Sequence, residues 1–325
     1  MLTDRRVGHV CEIAMANGER TPATNTLNVD VVTSCQGTLN KFSANNNKLG
    51  INATHLLMAA HAHIVSPKPG YKHTSTVIFL HGRGSTCEEF AAELFESEAS
   101  QPVNGPRTLP DLLPTVRWVF PRAPVLRSER FDEDMSQWFD IWSVEDPDSR
   151  PELQQPGLRA SISMVLDIIR AEEALVSRTN IFLAGISQGF ATAIAAFFAG
   201  GQGLAGLVGL CSWMPQASRS TKAIVADGPG ADGTLAALQK LYYDAGDSLA
   251  LSPAVVRTTP VLLGHSSDDD VVPVENGRRL RDTLELLLDS VEWHEYDTGG
   301  HWLEEPHGID DIVSFLQSKC TAPLV

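Results

Sequence analysis

The stretch NIFLAGISQGFATAIAAFF, residues 180–198, runs from one apolar segment through a glycine-flanked serine into another. Its first part is short, continuous and apolar, which predicts a buried strand. Its second part is apolar on nearly every side: Phe190, Ala191, Ala193, Ile194, Ala195, Ala196, Phe197 and Phe198 predict a helix buried all round. Gly200 and Gly201 predict its end, in a left-handed cap. A strand that becomes a helix this abruptly needs tiny residues on both sides of the turn, or their side chains collide. Gly185-Ile186-Ser187-Gln188-Gly189 supplies them in the G-x-S-x-G spacing. An ordinary tight turn would use the same five residues. In this context, however, the turn also thrusts the Ser187 hydroxyl outward and aims the Gln188 N–H at an oxygen beside it, where the helix dipole favours negative charge.

From about residue 62 the chain alternates strand, loop and helix. TVIFLHG, VRWVFP, NIFLAG, LVGLCSW, PVLLGH and VEWHEY read as strands bounded by Gly or Pro. Three helices show the 3.6-residue period, through Ile162-Val165-Leu166-Ile169, Leu280-Leu284-Leu287-Leu288 and Ile309-Ile312-Val313-Leu316. Continuous apolar strands alternating with helices predict an α/β fold, a mostly parallel central sheet covered on both faces. Function in such a sheet collects at the carboxyl ends of the strands. Residues 1–60 break the rhythm. They are rich in Thr, Asn and Ser, and only Leu27, Val29 and Val31 alternate. They predict a polar, poorly ordered N-terminal extension ahead of a 61–325 domain. Segment 216–255 predicts a partly helical cap.

A formal net charge of −15 argues against nucleic acid and anionic membrane surfaces as partners. The five cysteines are scattered and include no CxxC, which fits a reducing compartment rather than a disulfide framework. The first twenty residues lack the apolar core of a signal peptide, and no run approaches ~20 apolar residues. A cytoplasmic enzyme without a transmembrane segment is the expectation. No metal site is expected: His61 and His63 have no third ligand nearby, and the aspartate run lacks calcium-loop spacing.

A serine hydroxyl needs a base, and the base needs an orienting carboxylate. In this fold the chain order is serine, acid, histidine. Asp268, Asp269 and Asp270 follow PVLLGH, and His301 follows VEWHEY in a glycine-rich loop. A second oxyanion donor should come from the turn after the first core strand, where His81-Gly82-Arg83-Gly84 offers the Arg83 amide. His81 there more often shapes the loop than acts as a base.

Together TVIFLHGRGST, VFPRAP, SQWFDIWS, GISQG, GLCSWMP, GHSSDDDVVP and GGHW resemble the acyl-protein thioesterase / phospholipase–carboxylesterase family of α/β-hydrolases, most closely its fungal members, over about 64–318. The resemblance implies an α/β-hydrolase that cleaves acyl thioesters or carboxylic esters, on acylated proteins or small molecules, without a cofactor. It puts the nucleophile at Ser187, the base at His301, the acid at Asp269 with Asp268 as runner-up, and the oxyanion amides at Arg83 and Gln188. Trp138, Trp213 and Met214, with Phe139 and Trp142, are expected to wall an acyl channel. Acyl transfer to an alcohol or amine would use the same triad, and a non-catalytic receptor would ordinarily have a broken one. Arg83, Phe190 and Trp302 depart from the family pattern. The first and third of these bear on which acyl group is preferred.

Overall fold

In the computed structural model the described residues are 61–227, 232–243 and 251–320; the expected extension, 1–60, lies outside them. Seven strands form one sheet: β1 (Ala62–Val65), β2 (Ser75–Leu80), β3 (Val116–Pro121), β6 (Ile181–Ile186), β7 (Gly206–Leu210), β8 (Val261–Ser266) and β9 (Val291–Tyr296). Their order is β1-β3-β2-β6-β7-β8-β9, with β1 antiparallel to β3 and every other pair parallel. Every residue of β2, β6, β7 and β8 is buried, whereas β9 at the edge is partly exposed. That is why the central strands read as unbroken apolar runs.

The two faces carry different helices. Val77, Phe79, Trp118, Phe120, Phe182 and Val208 pack with α1 (Cys87–Glu96), the short α2 (Leu109–Leu112) and α9 (His307–Lys319) in one continuous core. On the other side lie α3 (Gln154–Glu173), α4 (Gln188–Gly200) and α8 (Val274–Glu285), with α4 against β2, β6 and β7 and α8 against β8 and β9. The all-round apolarity of α4 is explained by its second cover, α6 (Asp232–Tyr242), which packs on both α4 and α3. With α5 (Ala217–Asp227) and α7 (Pro253–Arg257), α6 makes the described residues of the 216–255 segment largely helical. Among the described residues no helix is long and apolar enough to cross a membrane.

Several local expectations are corrected. Helix α4 does end at Gly200, but Gly201 has a φ of −80°, so the cap is not left-handed; the positive φ falls at Gly203, +82°. Leu287 and Leu288 lie beyond the end of α8, yet both are buried, because the turn that follows folds back onto the core. A hairpin absent from the sequence reading, β4 (Val125–Ser128) with β5 (Glu133–Ser136), stands apart from the main sheet.

Candidate active site

Ser187 sits between β6 and α4 with φ 56° and ψ −128°, a conformation that only glycine adopts without strain. The flanking glycines allow it. A Cβ on Gly189 would stand 2.3 Å from the Leu80 carbonyl oxygen, and one on Gly185 would stand 2.4 Å from the Phe190 nitrogen. The Ser187 N–H donates to the Leu210 carbonyl at 2.8 Å, and the Ser212 hydroxyl donates to the Ser187 carbonyl at 2.7 Å. Phe190, unusual in size for its position, is accommodated by Gly209, whose Cα side its ring covers. As the first residue of α4, Gln188 has an N–H with no intrahelical acceptor. Its side chain binds the aromatic segment: Oε1 accepts from the Trp138 N–H at 2.9 Å, and Nε2 donates to the Phe139 carbonyl at 2.7 Å.

The turn after β2 lies against this serine. A Cβ on Gly82 would contact the Ser187 Cβ at 3.7 Å. Arg83 does not leave its charge at a pocket mouth. Its Nε donates to Gln137 and its Nη2 to Ser128, both at 3.0 Å, and its guanidinium lies over the Phe131 ring, so it clamps the β4–β5 hairpin. His81 is fully buried and shapes the loop, as expected. Its Nδ1–H donates to the Gly82 carbonyl at 2.7 Å, and Nε2 accepts from the Ala123 N–H at 3.1 Å. Burial pushes its pKa down to about 4, only partly offset by the bond to Gly82.

Folded His81 therefore stays neutral while the unfolded chain takes up a proton below about pH 6.5. Stability is fully present above that value and falls as the pH drops towards 4, by about 3 kcal/mol in all. Urea midpoints at pH 7 and pH 4.5 should differ more in the wild type than in His81→Gln. Equal differences in the two proteins would show that His81 does not carry this dependence.

At the ends of β8 and β9 the second half of the site assembles. His301 Nδ1 lies 2.8 Å from Asp269 Oδ2. The Asp269 side chain is fully enclosed. Its Oδ1 accepts the N–H groups of Val271 at 2.9 Å and Val272 at 2.8 Å. Burial alone would raise the Asp269 pKa. The hydrogen bonds from His265 and His301, the charge of His301 and the Val272 amide together hold it well below the usual carboxylate range. Asp268 is turned elsewhere and accepts the Gly300 N–H at 2.8 Å. Residues Cys211-Ser212 lie between the serine turn and the histidine loop. The Cys211 N–H donates to Gly264, its thiol donates to the Trp302 carbonyl at 3.2 Å, and Ser212 holds Ser187. Trp302 turns its ring edge-on to Phe90 in the core.

His265 was missed by the sequence reading. Its Nε2 faces two acceptors, the Val272 carbonyl at 2.9 Å and Asp269 Oδ2 at 3.3 Å, so that nitrogen carries the proton. Its position at the end of β8, four residues before Asp269, was the available signal.

Of the expected channel residues, Trp213 and Met214 line a cavity of about 820 Å³, with Leu280, Leu286, Lys222 and Arg279 among its other walls and with Ser187, Asp269 and His301 outside its lining. Trp138 is not among the residues lining this cavity. It is fully buried and donates its indole N–H to the His81 carbonyl at 2.8 Å, which braces the turn beside the serine.

A parallel sheet with helices on both faces, and a strained serine where a central strand becomes a helix, define the α/β-hydrolase class. The pattern of the phospholipase/carboxylesterase family matches residues 59–227, so the chain belongs to that family. Membership makes it an enzyme of the carboxylic ester and thioester hydrolase class. It is 28% identical to acyl-protein thioesterase 1 of Yarrowia lipolytica over 76% of this chain and 92% of that one. It is 27% identical to the Gibberella zeae protein of the same name, over the same shares. The crystal structure of Zea mays acyl-protein thioesterase 2 superposes with a TM-score of 0.57 at 24% identity, covering 80% of this chain and 98% of the maize chain, and has the same fold.

Proposed function

We propose that this chain hydrolyses acyl thioesters or carboxylic esters, on acylated proteins or small molecules, through Ser187, His301 and Asp269. Ser187 Oγ attacks the acyl carbonyl and passes its proton to His301 Nε2. The amides of Gln188 and Arg83 hold the oxyanion. His301 then protonates the departing thiol or alcohol, and a water activated in the same way releases the acid and restores the serine. The observation that carries this reading is the His301–Asp269 contact. An ionised Asp269 fixes the proton on Nδ1 and leaves Nε2 as a bare base.

Trp213 and Met214 are assigned to substrate because they directly follow Ser212, which holds the Ser187 carbonyl, and Trp138 is assigned to bracing. The names of the fungal relatives support acylated protein as the substrate class. Cys87, Cys211 and Cys320, all unpaired, suit a reducing cytoplasmic setting.

A fluorophosphonate probe should label the native protein and not Ser187→Ala, and acyl-CoA thioesters and p-nitrophenyl esters of graded length should compete with labelling according to their fit. Equal labelling of both proteins, or labelling that no ester or thioester slows, would overturn the proposal.

A further inference from the structure

The fold brings Cys211, Asp269 and His301 together from the ends of β7, β8 and β9, although nothing in their sequence spacing resembles a metal motif. One ligand atom from each lies within 4.8 Å of the other two. The set is a thiol, a carboxylate and an imidazole, the donors preferred by zinc and cadmium and not by magnesium or calcium. Zinc–sulfur bonds of about 2.3 Å and zinc–nitrogen or zinc–oxygen bonds of about 2.0–2.1 Å require tetrahedral donors roughly 3.3–3.6 Å apart. Meeting this takes a turn of the Cys211 side chain away from the Trp302 carbonyl and a withdrawal of the His301 ring from its 2.8 Å contact with Asp269 Oδ2, so the cation replaces that hydrogen bond. Asp269 is already held rigidly by the two amides on its other oxygen.

We propose that Cys211 Sγ, Asp269 Oδ2 and His301 Nδ1 form an inhibitory site for a thiophilic divalent cation, zinc or cadmium. Its inhibitory consequence, though not the binding itself, rests on the hydrolase reading above. The cation takes the lone pair of Nδ1, so the single proton of the neutral ring moves to Nε2, and His301 can no longer accept a proton from Ser187. The histidine loses no proton overall. The thiol loses one, which goes to solvent, so one proton is released for each cation bound.

Without metal, burial and the nearby charge of Asp269 keep the Cys211 thiol well above its ordinary pKa. It is therefore a protonated, inert group rather than a reactive nucleophile.

The test uses the full chain and two readouts. Cadmium added to the wild type, and to Ser187→Ala, should produce the near-ultraviolet absorption of a cadmium–thiolate bond, with one thiolate's share of it missing in Cys211→Ser and Cys211→Ala. Zinc titrations of hydrolysis, each variant measured against its own metal-free rate, should give half-inhibition at least about tenfold higher in Cys211→Ser than in the wild type. Magnesium should have no effect at the same concentrations. Thiolate absorption undiminished in Cys211→Ser, or equal zinc inhibition of both proteins, would overturn the site. Full hydrolysis by Ser187→Ala alongside a normal cadmium spectrum would instead overturn the hydrolase reading and leave the metal site standing.

Discussion

Ser187→Ala should lower kcat/KM for a good thioester substrate by about 10⁵–10⁶-fold, down to the residual rate supplied by binding and the oxyanion donors alone. The loss should appear without unfolding, because alanine meets the same backbone demand at φ 56° that serine does. Ser187→Gly separates chemistry from strain. It should be equally inactive but more stable than Ser187→Ala by about 1–3 kcal/mol, since glycine adopts this conformation freely. Steady-state rates and urea midpoints on the three proteins make the comparison. An alanine variant within tenfold of the wild-type rate would remove Ser187 from the chemistry. A glycine variant no more stable than alanine would mean that the turn stores no strain.

The sequence displayed the elbow so openly because its constraints are local. Gly185 and Gly189 are demanded by atoms a few residues away or on the adjoining strand, and α4 is buried on every side, so its whole circumference had to be apolar. The central strands were legible for the same reason. The hairpin β4–β5 was not. Glu133-Asp134-Met135-Ser136 is polar at three of its four positions with no alternation, and it is held by pairing with Val125–Ser128 and by the Arg83 clamp rather than by a buried face.

In the site, His301 and the aspartate run 268–270 could be anticipated from chain order, and Asp269 within that run only from the family resemblance. Cys211 could not, because its closeness to Asp269 follows from the adjacency of β7 and β8, which residue spacing does not encode, whereas His265 carried only the weaker signal of standing at the end of β8 four residues before Asp269. The reach of the Arg83 side chain was misread for a related reason. A long cation beside a suspected pocket reads as a specificity residue until its acceptors are seen, here Ser128 on the hairpin and Gln137 just beyond it.

Asp269→Asn should lower kcat by about 10⁴-fold, whereas Asp268→Asn should cost less than about tenfold. The asymmetry follows from which atoms each carboxylate serves. Asp269 Oδ1 accepts two backbone N–H groups, from Val271 and Val272, so an asparagine there must leave its carbonyl oxygen on that side. Its amide nitrogen then replaces Oδ2 and meets His301 Nδ1 and the Nε2–H of His265. A donor now faces His301 Nδ1, which must become an acceptor, so the ring's proton moves to Nε2 and the base is lost. The same donor confronts the His265 N–H with no acceptor between them, so Asp269→Asn should also lose stability by roughly 1–3 kcal/mol. Among the described residues Asp268 accepts only the Gly300 N–H, through one oxygen, and asparagine can keep that bond with its carbonyl. Rates and unfolding midpoints for the two single variants decide the matter. A severe loss at 268 with a mild one at 269 would transfer the acid's role to the neighbouring residue.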